Sequence, residues 1–154
     1  MKTTLLVSLL ALPALGQSAP LKAPVIKQGH RLDCPSGTRQ VGGARTALEA
    51  LTCVKGTLDG LRVFHGPFIS FYRSGAVEAQ GQVEDGFRAG KWTFYDEKGT
   101  RVGETEFQRG DFHGRRVFYY PTGQVKSEER YSQGRQVGAP RTFDEQGNEI
   151  AALR

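Results

Sequence analysis

The chain has 154 residues and a formal charge of +5, enough for one domain rather than two. Residues 17–65 hold seven Lys/Arg against three acids, whereas residues 66–150 hold twelve against thirteen. A nucleic-acid binder concentrates its basic residues on the ordered binding face; here the excess lies ahead of the ordered repeats described below, so nucleic acid is not expected as a partner.

Met1-Lys2, an apolar run from Leu5 to Leu12 and Ala14-Leu15-Gly16 have the layout of a secretory signal peptide. The run is too short for a spanning helix, so residues 1–16 are expected to be removed and the protein exported, periplasmic or secreted. Residues 17–33, with Pro20, Pro24, Lys22 and Lys27, have no apolar period and are expected to form an extended linker. Cys34 and Cys53 are the only cysteines. In an exported protein an even count favours a disulfide, which by the chain-entropy argument contributes about 3 kcal/mol. Two isolated cysteines are too few for a metal site, and the spacing is not that of a redox Cys-x-x-Cys pair.

Residues 34–65 are expected to form a disulfide-linked N-terminal cap. Leu51 to Val54 and Leu61 to Phe64 are strand-like runs. Thr46 and Glu49 have capping-box spacing, so Ala47 to Leu51 is expected to be a helical turn or a short strand. Gly37 and Gly42 have the spacing of a phosphate loop, but Gly43-Ala44 stands where Lys-Ser/Thr is required. No nucleotide or other cofactor is expected.

From Gly66 onward the chain repeats every 24 residues. Gly66, Gly90, Gly114 and Gly138 open four copies; Phe71, Tyr95, Tyr119 and Phe143 follow; then come Gly75, Gly99, Gly123 and Gly147. A short fixed period means stacked supersecondary units. Alternation predicts a first strand in each copy (67–72, 91–96, 115–120, 139–144), a turn closed by the second glycine in a left-handed conformation, and a return strand (76–84, 100–108, 124–132). Asp85-Gly86, Arg109-Gly110 and Gln133-Gly134 then turn the chain into the next copy. If both turns are three-residue bulge turns, one face collects Ile69, Phe71, Val77, Ala79 and Val83, with Tyr95, Phe107, Tyr119 and Tyr131. That face is the expected core. The opposite, solvated face then carries Phe68, Trp92, Phe94, Arg116, Phe118 and Tyr120 beside Glu104, Glu106, Lys126 and Arg130. This aromatic stripe is either cross-strand packing inside a curled sheet or a binding surface.

Gly90-x-Trp92-x-x-Tyr95-x-x-x-Gly99 with Phe107-x-x-Gly110, and the matching residues of the copies at Gly66 and Gly114, resemble the MORN-repeat variant family. The resemblance covers residues 66–150. The copy at Gly138 departs, with Pro140 where Trp92 stands, and is expected to be a capping half-repeat. The resemblance implies an all-β fold of antiparallel hairpins stacked into an elongated, twisted meander sheet. Many bacterial members are assigned as antitoxins of toxin–antitoxin systems, and other MORN proteins are associated with membrane lipids or with scaffolding. It therefore implies a protein partner, a toxin or an envelope component, or contact with a membrane surface without spanning it.

No catalytic constellation emerges. His65 and His113 lie two copies apart, or about 19 Å at two strands per copy, too far to share a metal. Glu104 and Glu106 with Glu128 resemble paired glycosidase carboxylates, but such a pair needs a deep cleft and one desolvated acid. The expectation is an exported, non-catalytic β-repeat module for protein binding or envelope scaffolding. An antitoxin or immunity-type protein is the alternative, and lipid or glycan binding the third.

Overall fold

The computed structural model describes residues 22–150. The expected signal peptide lies outside these residues. Within them the chain is all-β: β1 (Arg39–Gly42), β2 (Ala50–Gly56), β3 (Arg62–Phe71), β4 (Val77–Glu84), β5 (Phe87–Tyr95), β6 (Arg101–Gln108), β7 (Asp111–Tyr119), β8 (Val125–Ser132), β9 (Arg135–Gln136), β10 (Arg141–Phe143) and β11 (Glu149–Ile150). They form one open antiparallel sheet in which β1 to β8 follow in sequence order, β10 and β11 extend it, and β9 pairs with β8.

The first turn of each copy is as the glycines predict. Gly75, Gly99, Gly123 and Gly147 have φ of 90°, 74°, 90° and 86°. At 72–76 the Gly75 amide donates to the Tyr72 carbonyl and the Tyr72 amide donates to the Ala76 carbonyl. This is a type I turn closed by a left-handed glycine, whose twist matches the flanking strands. The second turn differs from expectation. Asp85 and Gly86 both have positive φ (52° and 88°), as do Arg109 with Gly110 and Gln133 with Gly134, and Glu84 pairs directly with Phe87. These are two-residue turns of the type I′ kind.

A second difference lies inside each hairpin. Phe71 pairs with Val77 but Ser70 pairs with Ala79, so Glu78 is an extra residue. Val102 and Lys126 are extra in the same way in the next two hairpins. A one-residue bulge moves every later side chain to the opposite face. The first strands therefore keep their expected faces and the return strands exchange theirs. Ala79, Val83, Phe107 and Tyr131 do not share the Tyr95 face; they lie with Phe68, Trp92 and Phe94. Conversely Gln80, Glu104, Glu106 and Glu128 belong to the Tyr95 face.

Two clusters result, one on each side of the sheet. Leu51, Ile69, Phe71, Val77 and Tyr95 form the first, and Ala23, Ile26 and Leu32 pack against it. Residues 22–38 are thus a strap across the tyrosine face rather than a bare linker. The Cys34–Cys53 disulfide (Cα–Cα 5.7 Å) ties the strap to β2. Gln40 clamps it further, accepting from the Leu32 amide (2.7 Å) and donating to the His30 carbonyl (2.9 Å), and the Ala23 amide donates to the Gly99 carbonyl. On the other side Ala79, Val83, Trp92 and Phe107 are buried together, with Phe64, Phe68, Phe94 and Phe112 against them.

Of the stretch Ala47 to Leu51, expected as a helical turn or a short strand, residues 47–48 are turn and Ala50 and Leu51 open β2, and β3 runs unbroken across the boundary expected at 65/66. The β2–β3 register slips by two residues between Thr52 and Val54. β4–β5 and β6–β7 slip near the corresponding points, so the cap follows the repeat's backbone although its sequence does not. At the other end the copy opened by Gly138 is reduced to a three-residue and a two-residue strand. Pro140 has no N–H to give a ladder.

Candidate binding site

The tryptophan face is built by alternation on β3, β5 and β7 and by the bulges on β4, β6 and β8. Trp92 is its centre and is 1% exposed, so the expectation of a solvated stripe does not hold at this residue. Its indole N–H donates to the Gln82 carbonyl (3.0 Å), which satisfies its one polar group. The ring lies flat on Gly81: a Cβ there would stand 2.5 Å from three ring carbons. An aromatic ladder runs across the strands through Trp92, with centroid separations of 5.4 Å (Phe64–Phe68), 5.7 Å (Phe68–Trp92), 6.2 Å (Trp92–Phe107), 5.4 Å (Phe107–Phe112) and 5.1 Å (Phe112–Tyr131). Edge-on and tilted pairs at these distances add to the burial term.

Beyond Trp92 the face opens. A groove of about 320 Å³ is lined by Phe94, Phe107, Phe112 and Phe118, by Val102 and Gly103 of the bulge, and by Arg88 and Arg116. The Arg88 guanidinium sits 4.5 Å from the Trp92 ring centre and 5.4 Å from that of Phe107. Arg116 sits 4.8 Å from Phe112 and 4.7 Å from Phe118. Such stacking holds the planar groups in place; Arg116 also donates to Glu129 (3.5 Å), while Arg88 makes no side-chain hydrogen bond among the described residues.

Of the residues expected on the binding face, Phe94, Arg116 and Phe118 line this groove and Phe68 and Trp92 support it from the ladder. Tyr120 stands apart: its hydroxyl donates to the Phe143 carbonyl (2.9 Å), and it fastens the last hairpin. Tyr72 does the same to the Tyr95 carbonyl (2.8 Å). Sequence reasoning missed Arg88, Phe107 and Phe112. Arg88 and Phe112 stand two residues before an opening glycine, outside the repeat skeleton, and Phe107 was assigned to the other face. Phe64, Arg88 and Phe112 recur at the 24-residue period, a signal that could have found them.

Glu104, Glu106 and Glu128 lie on the other face and each is engaged. Glu104 Oε1 accepts from Arg101 (3.0 Å) and its Oε2 from the Tyr119 hydroxyl (3.3 Å). Glu106 accepts from the Arg115 amide (2.9 Å). Arg115 makes a two-pronged contact with Glu128, 3.1 Å on each prong, and those hydrogen bonds hold the Glu128 carboxyl below its ordinary value. Burial raises the Tyr95 and Tyr119 phenols. His65 Nδ1 lies 3.0 Å from Asp85, which Lys55 also contacts, whereas the buried His113 Nδ1 has no hydrogen-bond partner among the described residues.

Neither the curated proteins nor the solved structures compared with the chain gave a match. Residues 112–133, which span β7, its glycine turn and β8, match the family model of the MORN repeat variant. Residues 112–133 thus carry one MORN-variant repeat, and the copies opened by Gly66 and Gly90 share its hairpin geometry.

Proposed function

We propose that this protein is a non-catalytic binding module, exported from the cytoplasm, whose tryptophan face receives a protein partner. The groove lined by Arg88 and Arg116 carries this reading: it combines half-exposed aromatics with fixed guanidiniums, the residue types that dominate protein interfaces. The buried Trp92 ladder makes its walls rigid, and a preorganised surface loses little entropy on binding. Acid–base catalysis is disfavoured because Glu128 is held below its ordinary value by Arg115, the reverse of the desolvation that raises a general acid. Export is supported by the apolar N-terminal run and by the Cys34–Cys53 bond, since such bonds persist in oxidising compartments. The partner is an envelope component or, following the family resemblance, an exported toxin.

The test is capture from envelope extract by the tagged protein and by its Phe118→Ala variant. A partner retained by the first and lost by the second, at unchanged melting temperature, is the expected result. Equal retention by both would place the binding surface elsewhere.

A further inference from the structure

The groove also constrains what its occupant must carry. Its lining includes Arg88 and Arg116 and no carboxylate. Arg116 has one acidic neighbour, Glu129 at 3.5 Å. Arg88 is exposed and makes no ion pair and no side-chain hydrogen bond among the described residues, its guanidinium being engaged only with rings. A guanidinium has five N–H donors in a planar fork that matches a carboxylate, and here the fork is already oriented. The two cations stack on the two members of the Phe107–Phe112 pair, whose ring centres are 5.4 Å apart. An apolar group seated in the groove beside this pair therefore has two guanidiniums in its lining.

We infer that the groove takes an acidic peptide segment of the partner: an apolar side chain inserted among Phe94, Phe107 and Phe118, with neighbouring carboxylates meeting Arg88 and Arg116. This rests on the reading of the tryptophan face as the binding face. The volume favours a peptide over an acyl chain, because 320 Å³ is near the lower end of ligand pockets and suits one large side chain. Complementary charge supplies register and encounter rate, and the apolar insertion supplies most of the affinity.

The experiment is random-peptide display against the full-length folded protein, followed by binding measurements on the enriched peptides. Enriched peptides are expected to carry acids next to an aromatic or branched apolar residue. Arg88→Gln and Arg116→Gln should each weaken them by about ten-fold, and added salt should weaken them further. Val102→Glu should abolish binding: Val102 is 38% exposed at the groove, so the variant is tolerated by the fold and supplies a competing carboxylate. Enrichment of neutral apolar peptides that Val102→Glu still blocks would overturn the acidic class and leave the binding face standing. Peptides insensitive to all three variants, or no enrichment, would overturn both. Loss of peptide binding alongside retention on phosphatidylglycerol vesicles would assign the groove to a membrane and also refute the inference.

Discussion

Replacing Trp92 by alanine should unfold this protein more readily than any change at a surface aromatic. An aromatic ring of this size buries about 200 Å², worth about 5 kcal/mol at 25 cal/mol per Å². Trp92 is 1% exposed, so nearly all of that is realised. The lost indole bond to the Gln82 carbonyl adds about 1 kcal/mol, and relaxation of Phe68 and Phe107 into the space returns part of the total. The net cost is about 4–5 kcal/mol, in the range of buried aromatic truncations. With a urea slope of about 2 kcal/mol per molar, the unfolding midpoint should fall by about 2 M. The partition drawn from the sequence alone gives the opposite order, with Tyr95→Ala the core truncation and Trp92→Ala mild. Trp92 is the only tryptophan, so its fluorescence reports the site directly: the native emission should be blue-shifted and shielded from iodide. A midpoint shift below about 0.5 M, or free quenching by iodide, would refute the burial and the bulge assignment behind it.

Gly81→Ala should destabilise the native protein, because the new methyl meets the Trp92 ring, and should become nearly neutral in a Trp92→Ala background; additive effects would disprove the contact. Gly99→Val should lower the melting temperature more than Lys98→Val, since Gly99 sits at φ 74°, where a β-branched residue is strained. Glu128 has its carboxyl lowered by Arg115, so the pair stabilises above the unfolded value and its contribution is lost as pH falls through the lower folded value; Arg115→Gln should flatten the fall in urea midpoint below pH 4.5. Reducing Cys34–Cys53 should cost about 3 kcal/mol and open the strap to trypsin at Lys27 and Arg31, and an unchanged digest would show that the other ties hold it alone.

The repeat and its glycine turns were legible because each glycine answers a backbone demand that the sequence states openly, a left-handed residue at a fixed place. The faces were legible only in part. Treating Asp85-Gly86 as part of a three-residue turn shifts the alternation by one, and overlooking Glu78 as an extra residue shifts it by one again. The two slips cancel from copy to copy. Phe71, Tyr95 and Tyr119 were therefore correctly grouped while Ala79, Val83 and Phe107 were placed on the wrong side. Glu78, Val102 and Lys126 share no chemistry, so nothing in their identity marks a bulge. The strap escaped for a different reason: Ala23, Ile26 and Leu32 follow no period, and only the hydrophobic patch beneath them gives them a role.

The tyrosines that fasten neighbouring hairpins imply a unit larger than one copy. The position that holds Tyr72 and Tyr120 is aspartate in the alternate copies, and these aspartates turn inward: Asp96 accepts from the Thr100 amide and Asp144 from the Asn148 amide, each at 2.8 Å. One copy reaches forward to the next, and the next closes upon itself. Copies are therefore of two kinds, donor and receiver, and the array has a period of two hairpins superposed on the period of one. Excising a receiver such as 90–113 joins two donors, whereas excising a donor and its receiver together restores a native junction. Because the acceptor is a main-chain carbonyl, either excision leaves each tyrosine an acceptor, and only the paired excision keeps donors and receivers in alternation.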